Sequence, residues 1–360
     1  MALVYGFTVV TFAMIGSGWR ARMFLDVARE LETVGCGGVV VRTARDLGIP
    51  TYVSLDACLS EVRVDFILVA TPPSVTPGLV VDLVERGLPV LVETPPAPNL
   101  DSLRTLWSAA GASGLVQVAE QYLLMPSHAA RAALIGGGVI GTPTQVQVSS
   151  TQHYHAVSMI RGLLGAGRGP VTVRATRFTA PLISPLDRAG WTDDPEPHPT
   201  TTTIATLDFG RGRSGVYDFT EHQTRNQLRF RRLLVRGSAG ELRDDEVVQM
   251  TGARTLAHIP LVRRQTGHDL DLNGFDTEHI SFGADLLYQN PYVGRRWMDD
   301  EIAMATLLEQ MAAWVRGEAP EPYPLPEGAQ DQQIALAIEK AAETDTAVTT
   351  TDEAWSLVGT

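Results

Sequence analysis

Lysine is almost absent from this chain of 360 residues, in which Lys340 is the only one. The other basic residues are arginines, and the formal net charge of −12 argues against a nucleic-acid or anionic-membrane partner. There are only two cysteines, Cys36 and Cys58, so we expect no disulfide framework and no metal site. No apolar run is long enough to span a bilayer. These absences predict a cytoplasmic protein.

The most informative segment that is present runs from Phe12 to Ala21, where an apolar strand pattern leads into a glycine turn and a helix pattern. In such a turn the first glycine permits the sharp bend and the second lets the backbone approach a pyrophosphate. A helix from Arg22 to about Thr33 would direct its amide-rich N-terminus at the phosphates. A Gly-x-Gly turn that binds nothing is the alternative. The pattern predicts dinucleotide binding by Gly16, Ser17, Gly18, Trp19 and Arg20.

The order of strand and helix patterns predicts two successive domains. Up to residue 125, short apolar runs alternate with helical patterns, which is typical of a Rossmann domain with a parallel sheet. After Pro126 the runs alternate apolar and polar residues, which favours an α+β domain with a large, mostly antiparallel open sheet. We predict a cofactor domain over 8–125, a substrate and oligomerisation domain over 126–330, and a C-terminal helix and tail over 331–360.

Four sequence blocks together resemble one protein family. They are Gly16-Ser-Gly18-Trp-Arg-Ala21, Ala70-Thr-Pro-Pro-Ser74, Val90-Leu-Val-Glu93-Thr-Pro95 and His155-Ala-Val-Ser-Met-Ile-Arg161-Gly-Leu-Leu-Gly165. The chain is similar to the glucose–fructose oxidoreductase/inositol dehydrogenase/MocA family of nicotinamide-dependent sugar and cyclitol oxidoreductases. The resemblance extends over nearly the whole length and is stronger in the N-terminal half. It implies hydride transfer to or from a polyhydroxy substrate.

The chain departs from the family pattern at the residues that carry the chemistry. Members usually have Glu-Lys-Pro where this chain has Glu93-Thr94-Pro95, and that lysine lies beside the substrate hydroxyl and the nicotinamide. The family's Asp-x-x-x-His block has Thr151 in the aspartate position and retains His155. A nearby acidic residue of the family is replaced by Ser158. The resemblance therefore implies His155 as the proton acceptor or donor, with Tyr154 and Thr94 as further candidate catalytic residues.

The ends of the predicted parallel strands supply the remaining site candidates, because ligands bind at that edge of an open α/β sheet. The cofactor candidates there are Ala70, Thr71, Pro72, Ser74, Glu93, Thr94 and Gln121. The substrate candidates are Glu120, Tyr122, His153, His155 and Arg161. For several of these a structural role is the alternative: Glu93 as a helix cap, His155 within a helix start, and Arg161 as a surface or bridging arginine.

Arg42 bears on the choice between NADP and NAD. An acidic residue is expected at the end of the second strand to bind the ribose 2′-hydroxyl of NAD, whereas arginine fits a 2′-phosphate. Thr43 adds a hydroxyl at the same place. The sequence therefore predicts NADP or NAD, with Arg42 favouring NADP.

Two function classes remain open from the sequence. The first is an NAD(P)-dependent oxidoreductase acting on a sugar, a cyclitol or a related polyhydroxy compound. The second is a catalytically degenerate nucleotide-binding sensor or partner subunit, because fold alone does not settle function. A retained cofactor that oxidises and re-reduces its substrate during elimination is a variant of the first. We expect a homodimer or homotetramer formed through the open sheet, with Val216–Phe219 and Leu228–Arg236 at its surface.

Overall fold

The structure, a computed structural model, describes residues 9–43, 45–267 and 274–358 in two compact units. The first comprises the chain up to Met125 together with Trp297–Ala329, and the second comprises Pro126–Arg296 together with Gln330–Thr360. Residue 8, the first of the predicted cofactor domain, lies outside the described residues. The units differ from the predicted domains because residues 297–329 return to the first unit.

The first unit is built on a parallel sheet. Its strands are β1 (Val10–Ile15), β2 (Val34–Val40), β3 (Thr51–Tyr52), β4 (Phe66–Val69), β5 (Val90–Val92) and β6 (Val116–Val118). They form a six-stranded sheet in the order β3-β2-β1-β4-β5-β6, and every adjacent pair is parallel. All four residues of β4 are buried, as expected for a strand covered on both faces. The predicted Rossmann class is confirmed.

Helices cover this sheet, and the local sequence explains where they begin. They are α1 (Trp19–Arg29), α2 (Leu55–Glu61), α3 (Thr76–Glu85), α4 (Leu100–Ala110) and α7 (Asp299–Val315), with α5 and α6 defined below. The Ser54 hydroxyl accepts a hydrogen bond from the Ala57 amide and so caps the N-terminus of α2, as serine before a helix predicts. α1 begins three residues before the predicted Arg22, directly after Gly18. α7 packs against α1 and β2, which brings Trp297–Ala329 into this unit.

The second unit contains a larger mixed sheet. Its strands are β7 (Pro143–Ser149), β8 (Thr172–Leu182), β9 (His198–Asp208), β10 (Ser214–Thr220), β11 (Arg232–Gly237), β12 (Gly240–Arg243), β13 (Glu246–Gly252), β14 (Thr255–Thr266), β15 (Asp276–Phe282), β16 (Asp285–Gln289) and β17 (Val348–Thr349). They form an 11-stranded sheet in the order β16-β15-β14-β13-β12-β11-β7-β10-β9-β8-β17. Only the β7–β10 pair is parallel among the described pairs, so the predicted mostly antiparallel sheet is confirmed.

Two strand predictions in the second unit need correction. The sequence predicts one strand over Leu228–Arg236, but the strand begins only at Arg232, because the preceding residues form a loop. The sequence also predicts one strand over Gly240–Gln249, which is instead a hairpin of β12 and β13 that turns at Asp244, where φ is +52°. Strands β14, β15 and β16 were not predicted at all. Their exposed positions include apolar residues such as Leu256 and Val262, which obscure the alternation used to recognise strands.

Three helices complete the second unit: α5 (Pro126–Gly136), α6 (His153–Leu164) and most of α8 (Leu325–Thr344). α6 packs on β7 and β10, and buries Val157, Ile160 and Leu163 against them. None of the helices that the structure describes is long and apolar enough to cross a membrane.

Candidate functional site

The glycine turn joins β1 to α1 and leaves open space at the helix N-terminus. Gly16 has φ +118°, and a Cβ atom there would overlap the Ala70 carbonyl at the end of β4. Gly18 is different, since a Cβ atom there would meet no atom of the described residues within 4 Å. The first turn of α1 contains no acidic residue. This turn can therefore accept an anionic group against the amide-rich N-terminus of α1.

Arg20 belongs to an ion-pair network rather than to the open space. Its Nε lies 2.6 Å from Glu93 Oε1 and its Nη1 lies 3.0 Å from Asp300 Oδ2. The Arg20 and Glu93 side chains are 19% and 13% exposed. Burial disfavours the charged guanidinium, but the two carboxylates outweigh burial and raise the pKa of Arg20. Arg20 therefore stays charged and connects α1 to the end of β5 and the start of α7.

Thr94 lies beside the same carboxylate. Glu93 Oε2 accepts a hydrogen bond from the Thr94 amide at 2.8 Å and one from the Thr94 hydroxyl at 3.3 Å. The Thr94–Pro95 peptide is cis. Glu93 is thus held from both sides, by Arg20 and by Thr94. A neutral hydroxyl occupies the position at which the family resemblance implied an ammonium group.

Gln121 follows β6 and extends the network. Its side chain is 3% exposed, and its Nε2 donates to Asp300 Oδ1 at 3.0 Å. Its Oε1 is shielded from solvent and accepts no hydrogen bond from any residue that the structure describes. Because an unsatisfied buried amide oxygen is costly, this atom is suited to accept a hydrogen bond from a ligand.

The other predicted residues at this sheet edge have structural contacts of their own. The Thr71 and Thr76 hydroxyls lie 2.9 Å apart at the start of α3, while Pro72 and Ser74 are exposed. Glu120, which is 5% exposed, accepts a hydrogen bond from the Tyr122 amide at 2.9 Å. Ala70 supplies the carbonyl that lies against Gly16.

Arg42 and Thr43 follow β2, and both are exposed. Arg42 forms no ion pair or hydrogen bond with any residue in the described ranges. This differs from Arg20, whose charge is balanced by two carboxylates. The segment that predicted a 2′-phosphate contact therefore presents an unbalanced cation.

His155 lies in the first turn of α6 in the second unit and is partly exposed. Its ring meets the Tyr154 ring edge-on at 5.5 Å, and its carbonyl accepts a hydrogen bond from the Ser158 hydroxyl at 2.9 Å. Tyr154 is only 5% exposed, and Thr151 is 1% exposed. The structure therefore places Tyr154 in the core of the unit and leaves His155 as the more accessible of the two.

His153 and Arg161 are each paired with an acidic residue of α8 within the second unit. His153 Nε2 lies 2.7 Å from Glu339 Oε1, and this hydrogen bond lowers the pKa of Glu339. Arg161 Nη1 lies 2.6 Å from Asp331 Oδ1, with side chains 3% and 0% exposed. The expectation that Arg161 holds a substrate anion, or else lies on the surface, is corrected by this pair, because its guanidinium is committed to a buried carboxylate.

Asp300 was missed as a site residue from the sequence. From the sequence, the acidic run Asp299-Asp300-Glu301 indicates capping and a favourable interaction with the dipole of the helix that begins there. The Glu301 carboxylate does accept a hydrogen bond from the Met298 amide at 2.9 Å. Asp300 in addition joins Arg20 to Gln121. Its partners are 280 and 179 residues away along the chain, and no sequence pattern links them.

Comparison with known proteins agrees with this geometry. Residues 10–121 match the family model GFO_IDH_MocA, described as an oxidoreductase family with an NAD-binding Rossmann fold. The resemblance inferred from the sequence is confirmed over those residues. No curated protein matches the chain. No group of three or more His, Cys, Asp or Glu residues that could hold a metal ion occurs in the part of the chain that the structure describes.

Several solved structures share the fold over the whole chain. An oxidoreductase from Agrobacterium radiobacter in complex with NAD+, L-tartaric acid and magnesium has a TM-score of 0.68 at 15% identity, covering 95% of this chain and 98% of that one. A myo-inositol dehydrogenase from Corynebacterium glutamicum has a TM-score of 0.64 at 19% identity, and the match covers 96% of this chain and 100% of that one. The WlbA dehydrogenase from Bordetella pertussis, in complex with NADH and UDP-GlcNAcA, has a TM-score of 0.64 at 15% identity. The match covers 96% of this chain and 99% of that one.

Proposed function

We propose that this chain, whose residues 10–121 belong to the glucose–fructose oxidoreductase/inositol dehydrogenase/MocA family, is an NAD(P)-dependent oxidoreductase of polyhydroxy compounds. The observation that carries the proposal is the glycine turn, in which Gly18 leaves open space at the N-terminus of α1. The same turn is the place where dinucleotide diphosphates bind in Rossmann domains. The expectation of hydride chemistry then follows from the family.

The residues of the first unit fit a nicotinamide dinucleotide. When bound, the cofactor supplies the hydride chemistry, and the protein supplies binding, orientation and electrostatics. The amides of Trp19 and Arg20 at the start of α1 would hold the diphosphate. The unsatisfied Gln121 Oε1 is suited to an amide donor of the ligand. Glu93, fixed by Arg20 and Thr94, keeps the end of β5 in one conformation.

We assign the proton transfer to His155. An imidazole has an ordinary pKa near neutrality, which suits a group that both accepts and donates a proton at physiological pH. Thr94 and Thr151 are neutral, so the electrostatic stabilisation that a lysine would give to a developing alkoxide is missing. We therefore expect slow turnover compared with an enzyme that retains the lysine.

A first test replaces His155 by glutamine, which keeps a polar side chain of similar size but cannot carry the proton. We expect turnover of a responsive sugar or cyclitol to fall by about 100-fold or more, because general acid–base catalysis contributes that much. Steady-state kinetics with NADPH or NADH formation followed at the nicotinamide absorbance is the measurement. His198→Gln, at an exposed histidine of β9 that belongs to no candidate site, is the matched control. Equal activity of wild type and His155→Gln would make the assignment wrong.

The substrate class is a polyhydroxy compound, in line with a myo-inositol dehydrogenase and a UDP-GlcNAcA complex among the structural neighbours. A catalytically degenerate nucleotide-binding protein is the second candidate, favoured by the threonine at position 94. If no turnover is found, Thr94→Lys with Thr151→Asp tests for a lost enzyme. Because Thr151 is 1% exposed, we expect the aspartate to lower stability, so Thr94→Lys alone should also be examined.

We propose NADP as the preferred cofactor because Arg42 is an exposed cation without an acidic partner among the described residues. We expect NADPH to bind more tightly than NADH, and Arg42→Ala to weaken NADPH binding about 10-fold while leaving NADH binding unchanged. Fluorescence titration of the cofactor-free protein measures both. Arg45→Ala, another exposed arginine in the same segment, is the control. Tighter binding of NADH in the wild type would contradict the proposal.

We also propose that the protein acts in the cytoplasm as a homodimer or homotetramer. Both cysteines are free, and burial raises the pKa of Cys36 to about 11, so this thiol stays protonated. The outward face of the large sheet carries exposed apolar side chains, including Phe178, Ile204 and Leu256, which a second copy of the chain would cover. Light scattering at micromolar concentration tests the subunit number.

A further inference from the structure

The loop before β11 carries exposed arginines that have no role in the proposed reaction. Residues 221–231 connect β10 to β11, and their last four side chains, Leu228 to Arg231, are all exposed. Two buried residues of the loop, Gln223 (3% exposed) and Asn226 (2% exposed), anchor it to the rest of the unit. Because these buried amides are fully engaged with backbone groups, the loop holds its exposed arginines in defined positions.

Gln223 ties this loop to the chain that leads into α6. Its Nε2 donates to the Ser149 carbonyl and to the Phe230 carbonyl, each at 2.7 Å. Its Oε1 accepts from the Thr220 amide at 2.9 Å. Ser149 is the last residue of β7, and α6 begins at His153. The loop and the start of the helix that carries His155 are therefore neighbours.

The strand register places Arg231 on the same side of the sheet as α6. Arg232 pairs with Ser149, so Arg231 comes opposite Ser150. Arg232 and Ser149 both approach Asp218, at 2.5 Å and 3.4 Å, on one face of the sheet. Because successive side chains of a strand point to opposite faces of the sheet, the positions of Arg231 and Ser150 belong to the other face.

That opposite face is the covered one, where helices pack. The residues of β11 that alternate with Arg232, Leu233 and Val235, are 2% and 0% exposed. Val148 of β7, next to Ser149, is 0% exposed, and α6 packs on β7. Arg231 therefore stands at the edge of the helix-covered face, beside the start of α6.

Two polar groups at this position lack protein partners. The Arg231 guanidinium forms no hydrogen bond or ion pair with any described residue. The Ser150 hydroxyl is shielded from solvent and has no hydrogen-bond partner in the same part of the chain. A guanidinium binds carboxylate or phosphate through two parallel hydrogen bonds, and a hydroxyl can donate a third.

Arg231 also lies near two other arginines and a histidine. His128, on the first turn of α5, has its pKa lowered to about 3 by burial and by Arg131, Arg263 and Arg231, so it is neutral. Arg131 is paired with Asp245 at 2.9 Å, and Arg263 donates to the Ser127 hydroxyl at 2.7 Å.

We propose that Arg231 and Ser150 form a subsite for an anionic group of the substrate, a carboxylate or a phosphate. This inference rests on the proposed function and narrows its substrate class to sugar acids or sugar phosphates. Ser150 and His155 are five residues apart, so their Cα atoms lie within about 18 Å. The subsite would hold the anionic end of the substrate whose hydroxyl we assign to His155.

The test measures binding of defined probes to the full-length protein saturated with NADPH. Isothermal titration calorimetry compares D-gluconate, inorganic phosphate and sorbitol, the last being an uncharged polyol of the same length as gluconate. The variants are Arg231→Met, Ser150→Ala and, as a control, Arg243→Met, an exposed arginine on β12. Circular dichroism verifies that each variant is folded.

We expect gluconate or phosphate to bind the wild type at least about 10-fold more tightly than sorbitol does, since a charge-assisted pair contributes about that much. Arg231→Met should bind the anions no more tightly than sorbitol. Ser150→Ala should bind them a few-fold more weakly than wild type, and Arg243→Met should bind them as wild type does. Binding of gluconate alone identifies a sugar acid, and binding of phosphate alone a phosphorylated sugar. Absence of binding by both anions, or equal binding to Arg231→Met and wild type, would overturn the subsite.

A parallel fluorescence titration with NADPH separates this inference from the proposed function. If NADPH binds and anion binding does not depend on Arg231, the subsite is wrong and the oxidoreductase proposal stands. If NADPH fails to bind but phosphate binding to the cofactor-free protein depends on Arg231, the subsite stands and the proposed function is wrong.

Discussion

Replacing Gly18 by aspartate is expected to abolish dinucleotide binding while leaving the protein folded. The position has φ −68° and ψ −177°, which any residue adopts, and a side chain there meets no described atom within 4 Å. Aspartate is also a favourable helix N-cap. Its carboxylate, however, would occupy the space for the diphosphate, and juxtaposed like charges cost several kcal/mol. We expect NADPH affinity to fall at least about 100-fold, measured by fluorescence titration, with an unchanged urea midpoint.

Gly16→Ala is the matched control, because its defect should be in folding. A side chain at φ +118° is strained by about 1–3 kcal/mol, and here it would also overlap the Ala70 carbonyl. Its urea midpoint should therefore drop clearly. If Gly18→Asp bound NADPH as tightly as wild type, the proposed position of the diphosphate would be wrong.

The second large effect is expected from Asp331→Ala, which leaves the Arg161 guanidinium buried without its carboxylate. Arg161 and Asp331 are 3% and 0% exposed. Removing one partner of a buried pair typically costs about 3–5 kcal/mol. We expect a loss of that size in the free energy of unfolding, measured by urea denaturation with circular dichroism as the probe.

The pair Arg316–Glu318 provides the surface control. Glu318 is 58% exposed, and exposed pairs contribute about 0–1 kcal/mol, so Glu318→Ala should be nearly neutral. The double variant Arg161→Met/Asp331→Leu should recover much of the stability lost in Asp331→Ala, since an apolar pair of similar volume avoids the buried charge. Equal effects of Asp331→Ala and Glu318→Ala would contradict the buried ion pair.

The fold class of both units followed from sequence because it depends on local periodicity. Strand β4 is apolar at every position and buried at every position, so a fully covered parallel strand was recognisable. The start of helix α2 is likewise local, since Ser54 caps its N-terminus through a contact only three residues away. β14 and its neighbours were missed, because exposed apolar residues such as Leu256 interrupt their alternation.

For the candidate site, the sequence by itself determined the glycine turn, Arg42 after β2 and His155 at the start of α6. Each depends on residues adjacent along the chain, where spacing fixes geometry. Only the tertiary structure decided what the long-range charges do: Arg20 is neutralised by Glu93 and Asp300, Arg161 is bound to Asp331, and Arg231 is left without a described acidic partner. Such partners are brought together by packing from distant parts of the chain, and Coulomb energy depends on distance in space and on burial, not on separation in sequence.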